Sequence, residues 1–227
     1  MRDIYRGFLD APLSAKLGLM TITAYLVVAL FAPVIAPYSE TEILGGAYEL
    51  WSDKYLLGTD NLGRDMLSRL IFGARNTIGI ALAAVIIAFV IGGVTGMLSA
   101  ILGGWYDTII SRIVDILMAI PGLVFALLIL TILGTSMTTL VLVIAVLDST
   151  RVYRITRAAA MNVAVMDFVE VARLRGEGMW WVIRKEILPN IMAPLLAEFG
   201  LRFCFVFLFI ACLLYTSDAA DEGLGVD

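Results

Sequence analysis

The stretch EVARLRGEGMWWVIRKEILPN, from Glu170 to Asn190, is a polar, arginine-rich segment between two apolar runs that are each long enough to cross a bilayer. Nothing from Asp167 to Arg175 breaks a helix, so we predict a short amphipathic helix there. Its apolar stripe is expected to comprise Phe168, Val171, Ala172 and Leu174, with Glu170, Arg173 and Arg175 in water. Gly176 follows and suits the left-handed residue that ends a helix and turns the chain.

The second half of this segment has the composition of a membrane surface, with Trp180, Trp181, Arg184 and Lys185. Aromatic rings and long cationic side chains are both stable at the level of lipid headgroups. We therefore expect this half to lie there and to lead through Leu188 and Pro189 to an apolar run that begins near Ile191. An ordinary loop whose charges serve only solubility and orientation is the alternative.

The composition indicates a membrane protein. The chain of 227 residues is 61% hydrophobic and 16% charged, with a mean hydropathy of +0.95. These values lie far outside the range of soluble domains, so we predict an all-α, polytopic membrane protein. No removable signal peptide is expected at the N-terminus. The chain has no His, and Cys204 and Cys212 have no metal-ligand spacing, so neither a disulfide framework nor a metal site is expected.

Five apolar runs are expected to cross the membrane, at about residues 17–37, 78–102, 109–133, 139–148 and from 191 onward. They place one transmembrane domain at 17–211, with an external loop at 38–77 and a cytoplasmic loop at 151–190. The positive charges of segment 1–16 predict that this N-terminal segment is cytoplasmic.

Charge distribution gives the same orientation. The predicted inner side holds Arg2, Arg6, Lys16, Arg112, Arg151, Arg154, Arg157, Arg173, Arg175, Arg184 and Lys185, against Lys54, Arg64, Arg69 and Arg75 outside. The loop that contains Glu170 is therefore predicted to be cytoplasmic. Arg151, Arg154 and Arg157 have three-residue spacing and are expected to face anionic lipid at the inner surface.

Charged residues also lie inside the apolar runs, as Arg112 with Asp115 and Glu198 with Arg202. Residues three or four apart share a helix face, so each pair could neutralise its own charge. Charge at membrane depth otherwise faces the bundle interior or a water-filled path. Structural pairing and lining of a translocation path both stay open for the two pairs.

Two further features predict how the spans pack and bend. Gly92 and Gly96 form a small-residue pair that allows close approach of helix backbones, although glycine as mere slack in a lipid-facing helix is an equal alternative. Pro121 has no N–H and should kink or locally widen the third span.

A second motif, LLGTDNLGRDMLSRLIFGAR, runs from Leu56 to Arg75. Its two Gly-x-Asp triplets predict a turn followed by a helix start, with Asp60 or Asn61 as the side-chain cap. Apolar residues then recur at helical spacing, at Met66, Leu67, Leu70 and Ile71. This amphipathic piece is expected to lie along the outer membrane face.

The two motifs together resemble those of a known family. Glu170-Val171-Ala172, Gly176 and Leu188-Pro189 resemble the cytoplasmic EAA loop of ABC-importer permeases, in the version found in dipeptide/oligopeptide/nickel permeases. The block from Leu56 to Arg75 is similar to the GTDxxGRDxxSRLxxGAR block before the second span of that family. Val171 in place of the first Ala, and Glu186 in place of an apolar residue, depart from the general motif.

The resemblance covers about residues 17–210 and implies a type I ABC-importer permease bundle in a bacterial or archaeal cytoplasmic membrane, with five of about six transmembrane helices present. It implies import of peptides or similar small solutes. The implied partners are a second, homologous permease, two cytoplasmic ABC ATPases, an extracytoplasmic solute-binding protein and membrane lipid, with no nucleic acid. No cofactor is expected on this chain, because ATP and Mg²⁺ would bind the ATPases.

The resemblance also implies a coupling helix from Asp167 to Gly176, which inserts in a groove of the ATPase. Glu170 would cap or pair at the ATPase surface, Ala172 would permit close approach, and Gly176 would make the turn. Leu188 and Pro189 would fix the start of the fifth span. The expected coupling residues are Asp167, Phe168, Glu170, Ala172, Arg173, Leu174, Gly176, Leu188 and Pro189.

The sequence contains no GxxxxGK[ST] nucleotide-binding loop, so ATP hydrolysis is expected on another chain and this subunit is not expected to be an enzyme. A secondary transporter or channel without an ATPase is the rival function, although no convincing internal repeat supports it. A membrane structural or assembly protein is a third.

Residues 212–227 are expected to be a non-native tail. CLLYTSDAADE, from Cys212 to Glu222, reads as the translation of a transposase adapter used in sequencing libraries, and Gly225 to Asp227 fits its continuation. The tail's acidic residues account for the formal net charge of −4, so the pI of 4.9 indicates nothing about partners. The native sequence is expected to be lost after about Ile210; a genuine acidic tail is the alternative.

Overall fold

The computed structural model describes residues 12–223, with side chains described for residues 12–213. Within that range the regular secondary structure is helical, apart from isolated β-bridges, and the predicted all-α fold class is confirmed. The helices are α1 Leu13–Leu30, α2 Ala32–Ile35, α3 Met66–Leu102, α4 Gly104–Ala119, α5 Gly122–Leu133, α6 Met137–Ala164, α7 Asp167–Leu174, α8 Met179–Val182 and α9 Leu188–Gly223, with a π-helical turn Ile183–Ile187 between α8 and α9. Residues 1–11 of the predicted N-terminal segment and 224–227 of the predicted tail lie outside the described residues.

The chain divides into two compact units, Met1–Gly79 and Ile80–Asp227. In the first unit, α1 and α2 form an apolar stretch, Leu13–Ile35, that is long enough to span a membrane. It contains most of the first predicted span.

The loop that follows in the first unit is organised around Asp60. Its Oδ1 accepts from the backbone N–H groups of Leu62 at 2.8 Å and Arg64 at 2.9 Å. Its Oδ2 accepts from Arg64 Nε at 2.9 Å and Arg69 Nη1 at 2.5 Å. Burial alone would raise the pKa of Asp60, but the backbone N–H donors and the Arg64 guanidinium lower this pKa to about 2. Gly58 and Gly63 turn the chain at φ 77° and 75°.

The start of α3 corrects two predictions. Asp65, rather than Asp60 or Asn61, caps the helix, because its Oδ2 accepts from the Ser68 N–H at 2.8 Å while Asp60 is engaged in the turn. The expected separate amphipathic piece is also wrong. Met66–Leu102 is one uninterrupted helix that includes both this piece and the second span.

Three of the five predicted spans lie in helices that are by themselves long and apolar enough to cross a membrane. Within the described residues, Leu13–Ile35, Met66–Leu102 and Met179–Leu213 are long and apolar enough, and α4 with α5 adds a fourth if this pair, bent by 89°, is one span. The break falls at Ile120 and Pro121, so the predicted effect of Pro121 is confirmed.

The fourth and fifth predicted spans need correction. Residues 139–148 are only part of the longer helix α6, Met137–Ala164, in which charged residues follow Leu147 at short intervals. The fifth span was expected from Ile191, but its helix already begins at Met179, since the π-helical turn carries the chain into α9 without a loop.

Two apolar cores hold the second unit together. The α5 core comprises Ala81, Ala84 and Val85 of α3, Ala126 and Leu130 of α5, Leu140, Val143 and Ile144 of α6, and Val206, Ile210 and Leu213 of α9. The α7 core comprises Met97 of α3, Ala160 of α6, Val169 and Ala172 of α7, and Val182, Ile183, Ile187, Ile191 and Leu195 of the last helical stretch. Helix α6 therefore contributes its first half to one core and its second half to the other.

Gly92 and Gly96 lie where α3 meets α6. A Cβ atom at Gly92 would lie 2.4 Å from the Ser149 carbonyl oxygen, and one at Gly96 would lie 2.8 Å from the Tyr153 carbonyl oxygen. The close-packing interpretation of this glycine pair is thus confirmed, and the alternative of mere slack is excluded.

Candidate functional site

The predicted short helix is α7, which begins three residues after the last residue of α6. It spans Asp167–Leu174 and so ends one residue before the predicted limit. Asp167 and Glu170 lie in its first turn and Arg173 in its last. This distribution matches the partial positive charge at a helix N-terminus and the partial negative charge at its C-terminus.

The two faces of α7 are different from those predicted. Val169 and Ala172 are fully buried in the α7 core, and Val169 was not expected there. Phe168, Val171 and Leu174 are instead 41%, 45% and 81% exposed. The predicted stripe was wrong because the helix rests on its smaller side chains. The close approach that Ala172 permits is therefore to helices of its own chain, and the larger apolar side chains are presented outward.

Gly176 ends α7 in a Schellman motif. Its φ is 82°, as the left-handed prediction requires. The Gly176 N–H donates to the Arg173 carbonyl at 2.9 Å, and the Glu177 N–H donates to the Ala172 carbonyl at 3.2 Å. These bonds satisfy carbonyl groups that would otherwise end the helix without partners.

Among the residues with described side chains, none forms an ion pair or side-chain hydrogen bond with Asp167, Glu170 or Arg173. Glu170 and Arg173 are exposed beside the outward apolar side chains. The outward face of α7 therefore combines apolar surface with free charge.

Leu188 and Pro189 do not form the start of a span as expected, because they lie inside a continuous helix. The Leu188 N–H donates to the Ile183 carbonyl, five residues back, in the π-helical turn. Pro189 has no N–H to donate, and the widened turn before it accommodates this loss. Asn190 Nδ2 donates to the Glu186 carbonyl at 2.6 Å.

Glu198 and Arg202 form an ion pair on α9, with 2.5 Å between Glu198 Oε1 and Arg202 Nε. Asp148 on α6 extends this pair, since its Oδ1 lies 3.6 Å from Arg202 Nη1 and 3.7 Å from Arg151 Nη1. Asp148 and Glu198 are only 6% and 8% exposed. The result is a buried ionic cluster that joins α6 to α9.

Arg112 and Asp115 do not form the predicted pair in the described structure, where neither takes part in an ion pair. The α4 acid that does pair is Asp107, which binds Arg157 of α6 through both carboxylate oxygens. The predicted lipid-facing stripe is accordingly wrong for Arg157. Arg154, the middle arginine of this stripe, is exposed, and its guanidinium donates to Met118 Sδ at 3.7 Å.

A cavity of about 540 Å³ lies beside the ionic cluster. Its lining includes Asp148 and Arg151 of α6, Phe205 of α9, and Pro121 and Gly122 at the break between α4 and α5. The walls are mainly apolar, with the charged groups on one side. No group of His, Cys, Asp and Glu suited to a metal ion occurs within the described part of the chain.

Asp107, Tyr153 and Asp148 were not singled out from the sequence. The three-residue spacing of Asp148 and Arg151 is a local signal for one contact of the ionic cluster. Asp107 and Arg157 are 50 residues apart, so their pairing depends on tertiary packing and has no local signal.

A family model described as "Binding-protein-dependent transport system inner membrane component" matches residues 91–223. The matched range includes α4 to α9 and therefore the whole of α7 and its Gly176 turn. It also includes residues 212–223 of the segment predicted to be non-native, and the origin of that segment stays a prediction.

Similar curated proteins cover most of the chain. "Dipeptide transport system permease protein DppC" of Haemophilus influenzae is 36% identical over 191 residues, which are 81% of this chain and 65% of that protein. "Di/tripeptide transport system permease protein DppC" of Pseudomonas aeruginosa is 37% identical over 216 residues, 92% of this chain and 69% of that protein. The chain thus spans about two thirds of the length of these relatives. A solved structure described as "Crystal structure of an amino acid ABC transporter with histidines" matches with a TM-score of 0.43 and 23% identity, over 70% of this chain and 83% of that chain.

Proposed function

We propose, since this chain belongs to the family of inner membrane components of binding-protein-dependent transport systems, that it is the permease subunit of an ATP-driven importer of peptides or similar small solutes. The peptide class is taken from the names of the relatives. The subunit would work with a second permease, two cytoplasmic ABC ATPases and an external solute-binding protein. It would lie in the cytoplasmic membrane with its N-terminus and α7 on the inner side.

The outward face of α7 carries this proposal. Phe168, Val171 and Leu174 are exposed on a helix that is held to the bundle by fully buried Val169 and Ala172. Exposed apolar side chains next to free charges are typical of a surface that another protein covers. An anchored helix with this surface can insert in a groove of an ATPase and pass the movement of that groove to α6.

ATP and Mg²⁺ would bind the ATPase subunits, and hydrolysis would occur there. The contribution of this chain would be mechanical. Closure of the ATPase pair would displace α7, and the bundle would alternate between inward-facing and outward-facing states.

Co-purification with the ATPase tests the proposed role of α7. Leu174→Asp places a charge on the apolar face, and we expect the amount of ATPase retained by the permease to fall about tenfold or more. Leu50→Asp is the matched control, because Leu50 is 83% exposed and Leu174 is 81% exposed, while Leu50 lies in the predicted external loop. Equal retention of the ATPase by the two variants would exclude α7 as its docking helix.

A secondary transporter has some support from the broken α4 and α5 pair and from the buried ionic cluster on α6 and α9. Uptake of radiolabelled dialanine by vesicles that contain the assembled complex separates the two functions. An importer of the proposed class requires internal ATP and the external binding protein. Uptake driven by an ion gradient without ATP would reject the proposal.

A further inference from the structure

Helix α4 is fastened to the second half of α6 by polar side chains. The Arg157 guanidinium donates through Nε and Nη2 to the two carboxylate oxygens of Asp107, in the first turn of α4. One turn earlier on α6, the Tyr153 hydroxyl lies 2.9 Å from Ser111 Oγ and donates to Asp107 Oδ1 at 3.4 Å. Two successive turns of α6 therefore bind the same helix.

The same part of α6 is bound to α3. The Tyr153 hydroxyl oxygen also lies within hydrogen-bond distance of Ser99 Oγ, at 3.1 Å, and Tyr153 is only 2% exposed. Glycine at position 96 brings the two backbones together at this residue. Helices α3, α4 and α6 thus meet at one buried hydroxyl, which fixes their relative positions.

This junction continues directly into α7. Helix α6 ends at Ala164, α7 begins at Asp167, and Ala160 of α6 lies in the α7 core with Val169 and Ala172. Helix α7 and the part of α6 next to Arg157 therefore belong to one packed region.

Helix α5, beyond the break, packs on the first half of α6, whereas α4 is bound to the second half. Its buried residues Ala126 and Leu130 pack in the α5 core, and its axis is bent by 89° from that of α4. A cavity of about 440 Å³, lined by Val114, Asp115 and Arg154 among others, lies beside α4 and α6. The cavity interrupts the apolar packing of α4 on α6. The polar contacts between these two helices therefore contribute more to keeping α4 in place.

Resting on the proposed coupling role of α7, we propose that the Asp107–Arg157 ion pair makes α4 move with α7 as one body, which turns against α5 at Ile120 and Pro121. Arg157 is then a positioning residue that acts through Asp107. The ion pair transmits the movement, and the proline break is the hinge.

Charge variants of the assembled importer, reconstituted in vesicles with its ATPases and binding protein, test this link. We expect Arg157→Gln to lower the dialanine imported per ATP hydrolysed by about fivefold or more, while ATP hydrolysis continues. Tyr153→Phe should lower this ratio less, because only a hydroxyl is removed. Restoration of the ratio by the exchanged pair Asp107→Arg with Arg157→Asp would show that the pair itself is required.

Arg75→Gln is the control for loss of a cationic charge, because Arg75 is exposed on α3 and forms no ion pair among the residues with described side chains. It should leave the ratio unchanged. A normal ratio for Arg157→Gln, or no recovery in the exchanged pair, would overturn the link. An unmodified assembly that hydrolyses ATP without importing dialanine would overturn the proposed function instead.

Distances between spin labels test the hinge without reference to transport. In a background with Cys204→Ala and Cys212→Ala, labels are placed at the exposed positions Trp105, Leu133 and Val165. Between the nucleotide-free and ATP–vanadate states of the complex, the 105–165 distance should stay constant and the 105–133 distance should change. Arg157→Gln should broaden the 105–165 distribution. If the 105–165 distance changes as much as the 105–133 distance in the unmodified protein, α4 does not move with α7.

Discussion

At Gly92 the backbones of α3 and α6 approach so closely that a methyl group has no space. A Cβ there would lie 2.4 Å from the Ser149 carbonyl oxygen, whereas a Cβ at Gly93 would have no atom within 4 Å. We expect Gly92→Ala to destabilise the protein by about 1–3 kcal/mol, through displacement of one helix. Gly93→Ala should be neutral or slightly stabilising, because Ala favours the helix by about 0.5–1 kcal/mol over Gly.

Thermal unfolding in detergent, followed by tryptophan fluorescence, compares these two alanine variants directly. The midpoint should fall for Gly92→Ala alone. An equal decrease of the midpoint in the two variants would mean that close helix approach is not the reason why Gly92 is needed.

Asp60 makes the first unit sensitive to acid. Its folded-state pKa of about 2 is below the ordinary value of 3.8. Its ionised form therefore contributes stability that is present above pH 3.8 and is lost as the pH falls through about 2. Asp60→Asn should remove the pH dependence of stability that Asp60 causes. At pH 4–5 the loop should be less stable in this variant than in the unmodified protein.

Cleavage by pepsin within residues 38–65 measures the acid effect, with Asp53→Asn at an exposed position as the control for the pH dependence of the protease. Relative to that control, Asp60→Asn should be cleaved faster at about pH 4 and equally near pH 2. Equal cleavage at both pH values would show that Asp60 does not hold the loop.

At the scale of the helix, the end of α7 depends on one backbone conformation. Gly176 has φ 82°, and a Cβ atom added to it would have no other atom within 4 Å, so a substitution there costs only backbone strain. We expect Gly176→Ala to destabilise the turn by about 1–2 kcal/mol. Gly176→Asn should cost less, because Asn tolerates the left-handed region. Hydrogen exchange at the amides of residues 176 and 177 should be fastest in the Ala variant and intermediate in the Asn variant; equal exchange in all three proteins would contradict the role of φ.

The features of α7 that are local in sequence could be predicted. Its start, its approximate end and the Gly176 turn follow from helix propensity and from the one residue that adopts positive φ without strain. The break at Pro121 follows in the same way from its missing N–H. The buried face of α7 could not be predicted, because periodicity does not decide whether the large or the small apolar side chains meet the bundle. That choice is made by the α7 core, which draws residues from five other helical segments of the chain.

The start of the last span illustrates the same limit. Pro189 and the charges of Arg184 and Lys185 favour a loop there on local grounds. Buried Ile183 and Ile187 nevertheless keep the chain helical, because both pack in the α7 core and the π-helical turn adjusts the register. Ion pairs between helices could not be predicted from the sequence either. Asp107 and Arg157 could be recognised as separate charges, but not as partners.

Across the whole second unit, α3, α6 and α9 each contribute buried residues to both cores. The first half of α6 packs with α3, α5 and α9, and its second half packs with α3, α7 and the last helical stretch. The buried ionic cluster around Asp148 lies on this helix between the two packing regions. Because α6 is continuous from Met137 to Ala164, it joins the α7 core to the cavity beside Pro121.

Membrane orientation is the property of the whole molecule on which the proposed coupling role of α7 depends. In the Cys204→Ala, Cys212→Ala background, Leu174→Cys and Leu50→Cys introduce single thiols of similar exposure, 81% and 83%. A membrane-impermeant maleimide added to intact cells should label Leu50→Cys alone, because the predicted topology places most cationic side chains on the same side as α7. Inside-out vesicles should give the reverse pattern. Labelling of Leu174→Cys in intact cells would place α7 outside, where no ATPase could reach it.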